Sequence, residues 1–281
     1  MSNLYTVYRN AVKQLSQSGC EFPEFDARCL VEHCFGLNKT GFLLNAQSQA
    51  DENKLLNFED CIKRRRNKEP LQYILGEWGF YKYLFNVKQG VLIPRPETEL
   101  IVEYAVNNFT KIYGGVIFDL CCGSGCIGIS VAKQFPMCKV FCIDVSENAV
   151  LLTEENKEKL CAYNVTVVKA DLFDGFSALS LPQPDIILSN PPYIASDEID
   201  SLQEEVKYEP RLALDGGPDG LKFYRTIAEK WFPYLSKGGF CACECGEKQA
   251  RSILNIYLNT AHNANVIKDA SGTERVVVTV K

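Results

Sequence analysis

The sequence predicts an α/β chain in which a Rossmann-like, mostly parallel sheet ends in an antiparallel hairpin and follows a small helical domain. Three observations carry this prediction. After Pro94, apolar strand-like runs alternate with helical stretches; a glycine-rich turn follows the first of these runs; and the last two runs have no helix between them.

Residues 1–75 read as the helical domain. Leu4, Val7, Ala11 and Leu15 make the apolar stripe of a first helix, and helical periodicity recurs over 25–35 and 55–62, punctuated by Gly19, Gly36 and Gly41. Because the chain up to Cys20 holds Arg9 and Lys13 but no acid, a weak transit-peptide signature is the alternative there. The basic run 63–68 complements the negative end of a helix dipole and predicts a solvated helix end. Residues 76–92 turn aromatic and, broken by Gly79 and Gly90, read as a β-hairpin linker.

The main domain spans 93–281. Strands are expected at 116–120, 139–143, 165–169, 185–188 and 239–244, with helices between them, so the sheet is parallel, is covered on both faces, and binds ligands at the strands' carboxyl ends. The last two strands, 265–269 and 274–280, meet at Ser271-Gly272, and the second must return antiparallel.

Composition narrows the function. A 281-residue chain that is 46% hydrophobic and 23% charged can bury a sizeable core unaided. No apolar run reaches the roughly 18 residues of a membrane span and no secretory stretch opens the chain, so a cytoplasmic protein without membrane attachment is expected. The 13 cysteines include no C-x-x-C pair, and His33 and His262 are the only histidines, so reduced thiols and no metal site are predicted. Cys241, Cys243 and Cys245 share one strand face and read as core. A net charge of -5 argues against stable nucleic-acid binding.

The segment 118–128, F-D-L-C-C-G-S-G-C-I-G, runs from strand through glycines into helix, and Gly123, Gly125 and Gly128 satisfy G-x-G-x-x-G. Asp144 ends the next strand, where a carboxylate can accept both hydroxyls of an adenosine ribose. Asp119 separates the ligand classes, since an acid there would repel a pyrophosphate but can suit the ammonium of a methionine moiety, which favours S-adenosylmethionine. Asp171 could accept the adenine amino group, with Leu172 or Phe173 on the purine face; a turn-capping Asp is the alternative.

The stretch L-S-N-P-P-Y, 188–193, follows the fourth strand of the sheet. Pro191 and Pro192 end that strand rigidly, Asn190 offers a side-chain carbonyl beside the Pro191 carbonyl, and together these acceptors can grip both hydrogens of a planar NH2 group. Tyr193 can stack on the flat acceptor. An amide nitrogen is a poor nucleophile, so positioning matters; alignment alone can contribute roughly 7 to 11 kcal/mol.

With I-P-R-P-E-T-E at 93–99, E-P-L-Q-Y-I-L-G at 69–76, D-L-x-x-G-S-G at 119–125, S-N-P-P-Y at 189–193 and E-R-V-V at 274–277, the chain resembles the HemK/PrmC family over nearly its whole length. The resemblance implies a class I methyltransferase fold and transfer of methyl from S-adenosylmethionine to the Gly-Gly-Gln glutamine of class 1 peptide-chain release factors, giving N5-methylglutamine. It implies that residues 1–75 dock the release factor, that Cys121, Cys122, Gly123, Ser124, Gly125, Asp144 and Leu172 bind the donor, and that Asn190, Pro191, Pro192 and Tyr193 receive the glutamine. It also suggests that Arg95, Glu97 and Glu99 shape the pocket; read from the residues alone, the two acids could equally be first-turn helix charges. Two positions depart from the family. Cys121 replaces the usual glycine, which tightens approach of the donor carboxylate, and Leu172 replaces a frequent aromatic, which weakens stacking.

Other readings account for less. A nucleic-acid amino methyltransferase acting on adenine N6 or guanine N2 would use the same Asn-Pro-Pro-Tyr grip but conflicts with the acidic balance and the missing basic insert. A dehydrogenase using NAD explains the glycines and Asp144 and leaves Asn190 idle. A noncatalytic adaptor would not need Asn190 at all.

Overall fold

The structure, a computed structural model, describes residues 3–258 and 260–281. Its contacts divide the chain into two units, one running to Gly76 and including Gln203–Tyr208, the other made of Glu77–Leu202 and Glu209–Lys281.

The first unit is helical: α1 (Leu4–Gln17), α2 (Pro23–Phe35), α3 (Lys39–Asn45), α4 (Glu52–Arg66) and α5 (Leu71–Leu75). The Asn3 side chain accepts the Thr6 amide at the start of α1, and Leu4, Val7, Ala11 and Leu15 are its buried stripe. Asp51 caps α4 by accepting the Lys54 amide. The basic run at the end of α4 is not uniformly solvated. Lys63 and Arg66 are exposed, but Arg65 turns inward, donating to Asp26 and to Glu205 at 2.7 Å each. That ion triad is why a segment from far along the chain belongs to this unit; Tyr208 adds a hydrogen bond to the Asn67 carbonyl.

The second unit opens with the hairpin β1 (Glu77–Phe80) and β2 (Tyr83–Asn86), which turns at Tyr81-Lys82 and not at a glycine. These residues, expected to form a linker, belong to this unit: Phe80 and Phe85 are buried in its core, and Asn156 accepts from the Asn86 amide. After α6 (Glu99–Asn108) come β3 (Val116–Leu120), α7 (Cys126–Gln134), β4 (Lys139–Asp144), α8 (Glu147–Lys159), β5 (Val165–Lys169) and β6 (Ile186–Ser189). The chain continues through α9 (Arg211–Leu214), α10 (Lys222–Lys230), β7 (Phe240–Glu244), α11 (Ala250–Tyr257), β8 (Asn263–Lys268) and β9 (Glu274–Val280).

The seven strands from β3 onward form one sheet in the order β5-β4-β3-β6-β7-β9-β8. All pairings among β3 to β7 are parallel, and β9 lies antiparallel between β7 and β8, as the missing helix before it requires. Alternation along β3 sends Ile117 to a core shared with α6 and α7, and Val116, Phe118 and Leu120 to one shared with α10 and α11. Fully burying the largest side chains of the second core, Trp231 and Tyr224 among them, stabilises the fold by roughly 1.5 to 3 kcal/mol apiece. From β3 the chain moves outward through β4 and β5, then returns to the other side of β3 at β6. The loops after β3 and β6 therefore diverge at a topological switch point, where a crevice opens at the strands' carboxyl ends.

Candidate active site

A cleft lies at this switch point, lined by Cys121 to Ser124 from the β3 loop, Asp144 from β4, Asp171 to Phe173 beyond β5, and Asn190 and Pro192 beyond β6. The β3 loop is held closely. Gly125 takes φ 77, and a Cβ there would come within 2.7 Å of Thr153, while a Cβ on Gly128 would come within 2.4 Å of the Cys142 sulfur. Both glycines are thus packing requirements, and Gly125 does not reach the cleft wall. Cys121 does reach it, and holds φ 58, a left-handed conformation that side chains seldom adopt.

Asp144 accepts the Gly123 amide with one oxygen and the Ser146 amide with the other, both at 2.9 Å. Asp144 also lines the cleft, and a carboxylate oxygen can accept more than one hydrogen bond. Burial raises its affinity for a proton, opposed by those backbone hydrogen bonds. Asp171 both lines the cleft and caps the turn beyond it, accepting the Phe173 amide at 2.8 Å. Leu172 is fixed through its carbonyl, which accepts the Trp231 indole hydrogen at 2.9 Å. Phe223 completes an apolar wall, its ring 5.1 Å from that of Phe173. A hydroxyl-accepting carboxylate, an acid edge and flat apolar walls, within a cradle whose Gly123 leaves no Cβ, fit the ribose, adenine amine and purine faces of S-adenosylmethionine.

Asp119 stands behind the wall. It shares the Ile117 face of β3, so its carboxylate lies under α7, accepting the Gly128 amide at 2.8 Å. Its other oxygen is buried with no hydrogen-bond partner among the described residues. Burial pushes its pKa to about 8, with the nearby Asp144 charge adding to the shift.

Asn190 faces the cleft, and its Nδ2 donates to Thr98 Oγ1 at 3.1 Å. Pro191 is buried, and among the described residues no hydrogen bond ends on its carbonyl or on Asn190 Oδ1, which leaves two acceptors. Tyr193 sits on the same turn but off the cleft wall, its hydroxyl 3.4 Å from Glu244 Oε1 and its carbonyl accepting from Gln249 at 2.8 Å.

Arg95 lines the cleft and forms an ion pair with buried Glu209, which also accepts the Ile93 amide. Glu97 and Glu99 do not line it: both stand in first helical turns, and Glu99 accepts the Tyr81 amide. Sequence reasoning missed Thr98, Glu209, Phe223 and Glu244. Only Thr98 had a signal, its place in I-P-R-P-E-T-E. Among the described residues no His, Cys, Asp or Glu group is arranged to hold a metal ion.

The profile of the PrmC N-terminal domain matches residues 6–76, and that of the methyltransferase small domain matches residues 98–211. The chain is 34% identical to the release factor glutamine methyltransferase of Caulobacter vibrioides, covering 99% of this chain and 96% of that one. The chain belongs to the release factor glutamine methyltransferase family. The same named enzyme of Thermodesulfovibrio yellowstonii is 45% identical over 79% of this chain and 80% of its own, and that of Geobacter sulfurreducens 37% identical over 94% and 91%. Among solved structures, the fold of this family member matches a methyltransferase from Pyrococcus furiosus (TM-score 0.51, 21% identity, 69% of this chain and 87% of that one). It also matches the hMettl16 catalytic domain (TM-score 0.56, 12% identity, 82% of each chain).

Proposed function

We propose that this chain moves the methyl group of S-adenosylmethionine onto the side-chain amide nitrogen of the Gly-Gly-Gln glutamine of class 1 peptide-chain release factors, giving N5-methylglutamine in the cytoplasm. The observation that carries the reading is Asn190: anchored on the cleft wall through Nδ2, it has no hydrogen bond on Oδ1 among the described residues, nor has the carbonyl of Pro191 that follows it. Names borne by the relatives favour glutamine over a nucleobase for the planar NH2 such a pair can hold.

The donor supplies an electrophilic methyl on a good leaving group. The work left to the protein is alignment, and two acceptors on a rigid Pro-Pro turn fix the plane of the amide so that its nitrogen lone pair points along the transfer direction. Asp144 and Asp171 orient the donor from its nucleoside end, while the Leu172 to Phe223 wall excludes water from its purine face. No metal enters this scheme, and the helical unit is the proposed docking surface for the release factor. Incubating the protein with a purified class 1 release factor and methyl-labelled S-adenosylmethionine, then locating label by mass spectrometry, tests the reading. One methyl on the Gly-Gly-Gln glutamine, lost in Asn190→Ala while donor binding persists, is expected; label only on added RNA or DNA would overturn it.

A further inference from the structure

Gripping a glutamine NH2 requires the Asn190 carboxamide to face it with Oδ1, because the reversed amide would set one NH2 against another. The Pro-Pro turn does not decide between the two, since the oxygen and nitrogen ends of an amide have nearly the same shape. The choice falls to whatever the far end of the amide meets, and it meets Thr98, whose Oγ1 lies 3.1 Å from Nδ2.

Thr98 is only 2% exposed and its hydroxyl carries one proton, which is donated to Glu244 Oε2 at the end of β7. An ionised Glu244 can only accept, so the hydroxyl must point at it, and the other side of Oγ1 can only accept from Asn190. Oδ1 is then left facing the cleft. A protonated Glu244 can instead donate to Oγ1. The threonine proton then points at Asn190, whose Nδ2 cannot accept it, so the amide must reverse to meet it with Oδ1.

We propose that Thr98 and Glu244 are positioning residues that fix the Asn190 carboxamide in its acceptor orientation through the polarity of two successive hydrogen bonds. This rests on the reading that Asn190 holds the glutamine amide. Glu244 is suited to the task because it is 3% exposed and forms no salt bridge among the described residues, Arg275 being paired with Asp269. Around it stand Glu97 from the turn before α6, Arg275 from β9 and Tyr193 from the β6 loop, with Cys126 of α7 and Cys245 just beyond β7. Tyr224 of α10 donates to its backbone carbonyl and not to its carboxyl. Burial pushes the Glu244 pKa to about 7, against the Thr98 hydrogen bond, so both polarities of the relay are accessible near neutrality.

The test is kcat for methylation of a purified class 1 release factor by the full chain between about pH 5.5 and 9, with donor affinity measured by calorimetry at the same pH values. Wild type should lose activity toward tenfold per unit below about pH 7, and Glu244→Gln, which cannot titrate, should lose that acid limb. Thr98→Val should lower kcat roughly tenfold or more above about pH 7, with no acid limb and with donor affinity unchanged, and Thr98→Ser should restore both the rate and the limb. Wild-type kcat in Thr98→Val, or an unchanged acid limb in Glu244→Gln, overturns the relay while leaving the glutamine reading intact. A wild-type protein that methylates no release factor overturns both.

Discussion

The carboxylate of Asp119 accepts the amide hydrogen of Gly128 at 2.8 Å, so α7 is capped from the neighbouring strand. Gly125, at the N-cap position, has no side chain to do this. A Cβ at Gly125 would lie 2.7 Å from Thr153 of α8 and 2.9 Å from Ile129 of α7, which excludes a capping side chain there, and a buried acid on β3 replaces it.

That acid makes stability depend on pH. Its folded pKa of about 8 lies above its unfolded value, so its contribution is fully present below about pH 4 and is lost as pH rises through about 8. Asp119→Asn keeps an oxygen for the Gly128 amide but cannot ionise. Urea unfolding of the donor-free protein should show wild-type stability falling by a few kcal/mol, in order of magnitude, between about pH 5 and 8, and a flatter profile in the variant. Identical slopes would mean that the carboxyl ionises without penalty.

In the helical unit, Arg65 is held by Asp26 and Glu205, and Asp26 also accepts from the Cys20 thiol at 2.9 Å. Arg65→Ala leaves the Asp26 carboxylate buried without its cation. The expected cost is about 3 to 5 kcal/mol in chemical denaturation of the full chain, and segment 203–208 should become protected more weakly in hydrogen exchange. A loss below about 1 kcal/mol would place the pair among weak surface salt bridges.

Gly220, at φ 69, packs against the turn that carries Asn190: a Cβ there would lie 2.3 Å from the Tyr193 carbonyl oxygen. Gly220→Ala must push Tyr193 aside, which costs roughly 1 to 3 kcal/mol as overpacking. Because misplacement of a reacting group by about 1 Å can reduce rate about 100-fold, methylation should fall by one to two orders of magnitude with donor affinity nearly unchanged. Calorimetry beside a single-turnover assay separates the two effects.

What the sequence disclosed follows from how local each signal is. Parallel strands buried on both faces, such as 116–120 and 186–189, write themselves as nearly continuous apolar runs, broken here only by Asp119 and Ser189, and the glycines and Asn-Pro-Pro-Tyr follow them directly. Glu244 was hidden because it ends a fully buried strand whose cysteines signal core, and its partner Thr98 is 146 residues away. Gln203–Tyr208 was likewise illegible as part of the helical unit, since its membership depends on a pairing 140 residues apart. Asp119 shows the finer limit: its place on β3 was readable, but the strand's alternation turns it under α7 and away from the cleft.

Cys121 sits on the cleft wall at φ 58, a conformation that glycine adopts without a side-chain penalty. An L residue in that conformation costs roughly 1 to 2 kcal/mol relative to glycine, and the side chain also narrows the cradle next to Gly123. Cys121→Gly removes both effects and loses only the packing of one small thiol, worth about 1 kcal/mol. Stability should therefore change by less than about 1 kcal/mol, while S-adenosylmethionine binds several-fold more tightly, read as a lower Kd by calorimetry. Cys121→Ala keeps the strained backbone but shortens the side chain, so an affinity gain in glycine alone assigns the effect to the backbone, and a gain in both assigns it to the room the thiol occupies. Equal affinity in all three proteins would show that the donor does not approach this residue.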